Sequence, residues 1–129
     1  MSKRILIADD EPSIVAAVEF LLRRGGYEVQ VARDGDQTLA LVEEFDPDLV
    51  LLDVMMPRKS GYEVCTLIRE RTDRRYVKII MLTAKGRDAE VSKGLSMGAD
   101  LYITKPFSTR ELMARIRELV ESDSEAKPA

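Results

Sequence analysis

The sequence contains no histidine. That absence excludes a Ser-His-Asp triad, a Cys-His pair and any zinc site built on imidazole. It holds one cysteine, Cys65, so no internal disulfide can form. Cys65 follows Val64 in an amphipathic stretch and reads as a packed thiol without a chemical role. No apolar run approaches the ~20 residues of a membrane-spanning helix, and "MSKRILIADD" lacks the apolar segment of a secretion signal. A cytoplasmic protein with no membrane partner is expected. Neither sign of charge dominates: 20 Lys and Arg against 23 Asp and Glu give a net charge of −3. That balance argues against direct nucleic-acid or anionic-membrane binding by this chain. Chemistry here must run on carboxylates, hydroxyls, lysines or a bound ion.

What is present has the balance of a globular protein, with 45% apolar and 33% charged residues. At 129 residues one core is expected. Short apolar runs alternate with longer amphipathic ones. The strand candidates are Ile5–Ala8, Glu28–Ala32, Leu49–Leu52, Lys78–Leu82 and Leu101–Ile103. The first, third and fourth are apolar throughout, which suits strands covered on both faces of a parallel sheet. Helical spacing joins Ile14, Val18, Leu21 and Leu22 after Pro12 and Ser13, with Gly25 and Gly26 as a stop. Leu39 and Val42 mark a second helix, and Val64, Leu67 and Ile68 a third. Val91 and Leu95 mark a short fourth, and Leu112, Ile116, Leu119 and Val120 a fifth. Five βα units in succession predict right-handed crossovers and a single doubly wound α/β domain over 1–121. The polar residues 122–129 read as a tail or the start of a linker.

Open α/β sheets bind ligands beyond the carboxyl ends of their strands. The residues just after each run are therefore the informative ones: Asp9 and Asp10, Asp53, Thr83, then Thr104 and Lys105. Each alone has an ordinary explanation. Asp10 could cap the helix that starts near Pro12, Thr83 could be a plain strand residue, and Lys105 a solvated charge. Together they are harder to dismiss, because two carboxylates ~4 Å apart repel by roughly 4 kcal/mol at an effective dielectric of about 20. A domain holds only ~5 to 15 kcal/mol of total stability. Positive charge must therefore sit among the acids. Lys105 supplies one unit, and the remainder suits a hard divalent ion with oxygen ligands, Mg²⁺ rather than zinc. Such an ion beside a carboxylate, a hydroxyl and an ammonium makes a phosphoryl site in which Asp53 can be the nucleophile.

The chain resembles the receiver domain of two-component response regulators from Ile5 to about Val120. The matching pieces are "ADDEP", "LLDVMMPRKSG", "LTAK" and "GADLYITKPF", in order and each after a strand. The resemblance implies a flavodoxin-like sheet of order 2-1-3-4-5. It implies Asp53 as phosphoacceptor, and Mg²⁺ held by Asp10, Asp53 and the backbone carbonyl of Met55, with Asp9 helping through water. Thr83 and Lys105 would hold phosphoryl oxygens. Since the chain has no histidine, the donor would be a sensor histidine kinase or a histidine phosphotransfer protein. The chain would catalyse only its own phosphorylation and slow dephosphorylation.

The same resemblance implies a switch through Thr83 and Tyr102, a cis Lys105–Pro106 peptide, and an output face on the fourth helix, fifth strand and fifth helix. Lys93, Asp100, Glu111 and Arg115 resemble the charged set through which DNA-binding relatives pair into homodimers, whereas Leu101 departs from it. Apart from the family, Tyr102 reads as a half-buried strand tyrosine with a wet hydroxyl. Met55 and Lys85 stand where faster-hydrolysing relatives carry water-orienting groups, so a long-lived phospho-form is expected. The basic cluster Arg69, Arg71, Arg74, Arg75 and Lys78 reads as a solvated loop.

Two other functions compete with this one. A phosphatase of the haloacid dehalogenase type needs a second Asp two residues after the nucleophile, and Met55 stands there. A receiver-like interaction module that no longer takes phosphate would have lost an acid, the Thr or the Lys. All are retained.

Overall fold

The computed structural model describes residues 2–71, 77–84 and 98–121. Five strands, β1 (Arg4–Ala8), β2 (Glu28–Ala32), β3 (Leu49–Asp53), β4 (Lys78–Ala84) and β5 (Leu101–Lys105), form one parallel sheet of order β2-β1-β3-β4-β5. The described helices are α1 (Pro12–Arg24), α2 (Gly35–Phe45), α3 (Gly61–Glu70) and α4 (Thr109–Glu121). This is the doubly wound architecture expected from the alternation of apolar and amphipathic runs, with the flavodoxin-like strand order that the resemblance implies. The short helix expected around Val91 and Leu95, the tail 122–129, Lys85 and Lys93 lie outside the described residues.

The uninterrupted apolar strands are explained by the two layers they serve. Successive residues of a strand point to opposite faces. Leu6, Val50, Leu52, Ile79 and Met81 pack on one side with Val42 of α2 and Val64, Cys65 and Ile68 of α3. Ile5, Ile7, Leu49, Leu51, Ile80 and Leu82 pack on the other with Val15, Val18 and Leu22 of α1 and Leu112, Ile116 and Val120 of α4. At ~1.5 to 3 kcal/mol for each large side chain withdrawn from water, these layers dominate the stability of the fold. Cys65 is fully buried in the first of them, as a packing residue.

Local chemistry sets the helix ends. Pro12 opens α1, where a missing N–H costs nothing, and Gly26 beyond its end adopts φ 94°. Asp34 caps α2 by accepting from the Gln37 N–H at 2.7 Å, and Ser60 caps α3 by accepting from Glu63 at 3.2 Å. The buried face of α1 centres on Val15, Val18 and Leu22, with Ile14 and Leu21 at its edges, because α1 lies over the sheet one position round from the face first expected. Three strands run past their sequence-based ends, since β3 takes in Asp53, β4 Thr83 and Ala84, and β5 Thr104 and Lys105. Ladder hydrogen bonds continue where apolar character stops, so side-chain pattern alone ended these strands early.

The basic cluster is not a solvated loop at its described positions. Arg69 donates to the carbonyls of Gly98 and Val77 and to the Asp100 carboxylate, fastening α3 to the residues that lead into β4 and β5. Arg71 pairs with Glu43, Lys78 opens β4, and Arg74 and Arg75 lie outside the described residues. No described helix is long and apolar enough to cross a membrane.

Candidate functional site: an acidic pocket at the carboxyl edge of the sheet

Strand order brings the polar strand ends together. β1 and β3 are neighbours with Ala8 opposite Leu52, so Asp9 and Asp53 emerge side by side. β4 lies next to β3 and β5 next to β4, which sets Thr83 and Lys105 along the same rim. Asp9 is fully buried, Asp53 and Thr83 are nearly so, and Asp10 is exposed at the mouth. Carboxylate oxygens of Asp9, Asp10 and Asp53 all lie within 4.8 Å of one another. Asp10 does not cap α1: the N-cap is Glu11, whose side chain makes no cap hydrogen bond.

Among the described residues, one cation faces this charge. The Lys105 ammonium, in a side chain only 15% exposed, lies 3.4 Å from Asp53 Oδ2, 3.2 Å from Asp9 Oδ2 and 2.6 Å from Glu11 Oε1. The Lys105–Pro106 bond is cis. Met55 donates its N–H to Asp53 Oδ1 at 3.2 Å, and Glu11 donates its N–H to Asp9 Oδ1 at 2.9 Å. These contacts do not compensate the site. Burial, and next the Asp9 charge, push the Asp53 carboxyl up to about 6, against the pull of Lys105 and the Met55 N–H. Lys105 is raised despite its burial, because Glu11, Asp53 and Asp9 favour the ammonium.

Among the described residues, Asp9 Oδ2 is the buried side-chain oxygen that makes no hydrogen bond, although the ammonium is near. A buried carboxylate oxygen that shares one ammonium with two other acids, among clustered hard oxygen donors, fits a divalent cation of the Mg²⁺ class, and a cluster made of carboxylates among the described residues disfavours softer metals.

The loop after β3 is anchored tightly. Gly61 donates its N–H to Val54 O at 2.9 Å, and a Cβ added at Gly61 would stand 2.4 Å from the Asp53 carbonyl oxygen. Gly35 approaches Lys59 as closely, and the pairs Arg58–Asp34 at 3.7 Å and Lys59–Asp36 at 3.4 Å tie this loop to the start of α2. Met55, 69% exposed, stands beside the acceptor.

Tyr102 is half-buried as expected, but its hydroxyl is not simply wet: it lies 3.1 Å from the hydroxyl of Tyr62, a buried residue of α3. Of the charged set expected on a face between copies, Asp100 is used inside the chain, accepting from the Ile79 N–H and from Arg69, both at 2.8 Å. Arg115 pairs with Glu118 at 2.7 Å, and Glu111 is exposed. Asp100 is thus a clamp between α3 and the sheet, because desolvated donors hold its carboxylate better than an exposed partner could. Glu11 and Tyr62 were missed at the level of sequence. Pro12 after Glu11 marks a helix start that sets Glu11 beside the rim, whereas nothing in the sequence pairs Tyr62 with Tyr102.

Comparison with known proteins agrees with this geometry. The family described as the response regulator receiver domain matches residues 5–117. The structure is similar to a CheY-like response regulator receiver domain protein from Methanospirillum hungatei (32% identity, TM-score 0.89, covering 97% of this chain and 98% of that one). It is similar to the BeF3-activated DrrB receiver domain (36%, TM-score 0.85, 94% and 99%). It also resembles the receiver domain of a sensor histidine kinase from Pseudomonas aeruginosa, solved with a magnesium ion in its active-site cleft (30%, TM-score 0.84, 94% and 99%). With the family matched across the sheet and both helical layers, the chain belongs to the response regulator receiver domains.

Proposed function

We propose that the chain is a phosphorylation switch that accepts a phosphoryl group on Asp53 from a partner's phosphohistidine, with Mg²⁺ held by Asp10, Asp53 and the Met55 carbonyl and helped by Asp9. The observation that carries this is the convergence of three carboxylates, two of them buried, within 4.8 Å on a rim that also receives the Lys105 ammonium. Magnesium in the cleft of the Pseudomonas aeruginosa relative and BeF3 activation of DrrB support it by similarity.

In the transfer, an Asp53 carboxylate oxygen attacks the phosphorus of a phosphoimidazole. The O–P bond forms as the P–N bond breaks, and the electron pair leaves on the imidazole nitrogen, which takes up a proton. When bound, the ion neutralises charge on the transferring group. Lys105 neutralises one more charge, and the Thr83 hydroxyl donates to a phosphoryl oxygen. The Met55 N–H keeps the Asp53 carboxylate oriented. The donor is a sensor histidine kinase or a histidine phosphotransfer protein, and the setting is the cytoplasm. The output face comprises β5 and α4 with the segment before β5, and Thr83 and Tyr102 report the acceptor's state to it. Pairing of two copies through Lys93, Glu111 and Arg115 is a secondary expectation, checked by chromatographic size with and without BeF3⁻. An interaction module working without phosphate is the competing reading.

Incubation with Mg²⁺ and acetyl phosphate, followed by intact mass, separates the two. Wild type gains one phosphoryl mass and Asp53→Asn gains none; no gain in wild type favours the phosphate-independent module. Replacing Met55 with Asn or Glu should shorten the phospho-form's lifetime roughly tenfold, since a polar group there can orient water that Met55 does not. An unchanged lifetime would remove Met55 from that role.

A further inference from the structure

The best hydrogen bond of the Lys105 ammonium goes to the wrong place for a group serving Asp53. Its shortest contact, 2.6 Å, is to Glu11, whose side chain is half exposed, whereas its contacts with the buried acids are longer, 3.2 Å to Asp9 Oδ2 and 3.4 Å to Asp53 Oδ2. Burial should favour the opposite order, because a buried carboxylate loses more by a long contact than a solvated one does. Glu11 can nonetheless compete because its position is set by the fold. It is the N-cap of α1 in extended conformation, it precedes Pro12, and its own N–H is held by Asp9 Oδ1 at 2.9 Å. Lys105 is the last residue of β5, so the pair bridges the start of α1 to the end of the edge strand across 94 residues of sequence.

We propose that Glu11 is a positioning residue that draws the Lys105 ammonium toward α1 and keeps its contact with Asp53 long in the resting chain, so that arrival of a phosphoryl group is coupled to release of Lys105 from α1. The proposal rests on the phosphoacceptor reading for its functional part. A bound phosphoryl group then competes with Glu11 for one ammonium. Glu11 therefore lowers the affinity of the site for that group and links its occupancy to the α1–β5 bridge.

Two variants separate position from charge. Glu11→Gln removes the charge, while Glu11→Asp keeps it on a side chain one methylene too short to reach. The first measurement is the Lys105 ¹⁵Nζ resonance without metal or phosphate analogue, expected to move in the same direction in both variants as the ammonium closes on Asp9 and Asp53. The second is BeF3⁻ binding in Mg²⁺, expected to tighten about two- to five-fold in both, the range of a partly exposed ion pair. Tightening in Glu11→Gln alone would show a through-space charge effect and overturn the positioning role, as would an unmoved Lys105 resonance. If wild type binds no BeF3⁻ the phosphoacceptor reading fails, and the resonance alone decides the contact.

Discussion

Asp53→Asn is expected to make the metal-free protein more stable than wild type at pH 7.5 by about 1–3 kcal/mol, and to lose that advantage towards pH 4. The cause is the cost of an ionised carboxylate buried beside Asp9, which lifts Asp53 from 3.8 to about 6 in the folded state. A raised carboxyl means that the folded chain binds a proton more tightly than the unfolded chain. Stability from this group is therefore complete below about pH 4 and falls as the pH rises through about 6. A shift of about two units corresponds to roughly 3 kcal/mol, less what asparagine loses by giving up the charged contact with Lys105. Urea unfolding of both proteins across that pH range, with chelator present, measures the difference. Added Mg²⁺ should stabilise wild type much more than the variant. Equal stabilities at pH 7.5, or a gap that does not change with pH, would mean that the acidic pocket is not strained.

Gly61→Ala is expected to destabilise the protein by about 3 kcal/mol, a fall in midpoint of about 10 °C for a domain of this size. The new methyl would meet backbone on two sides, the Asp53 carbonyl oxygen at 2.4 Å and Val54 Cα at 2.9 Å, and neither can swing away like a side-chain tip. Alanine's better helix propensity returns less than ~1 kcal/mol at the first residue of α3, so the clash wins. Relief requires the β3–α3 loop to retreat from the acceptor, and phosphoryl uptake should fall with stability. A variant within about 0.5 kcal/mol of wild type would show that the loop tolerates displacement.

The two layers were legible because apolar runs and amphipathic helices carry their periods openly, as Leu49–Leu52 and the Ile116 face of α4 do, whereas the strand order came from the family resemblance. The rim residues were legible for a related reason: in a parallel sheet, polar residues after apolar runs fall at one edge. Side-chain partners across the sheet were not. Glu11 reached Lys105, Tyr102 met Tyr62, and Asp100 turned to Arg69 rather than outward. Each of these depends on how one helix sits over its neighbours, which no local period encodes. The extra strand residues were hidden similarly, since backbone pairing continues beneath polar side chains.

Borohydride trapping tests the central claim most directly. An acyl phosphate on an aspartate is reduced to homoserine, so treatment of the Mg²⁺- and acetyl-phosphate-loaded protein, followed by peptide mass mapping, reports the acceptor by position. The account predicts homoserine at residue 53, dependent on Mg²⁺ and diminished by Asp10→Asn. Homoserine at another acid, or none anywhere while the protein still carries phosphate, would contradict it.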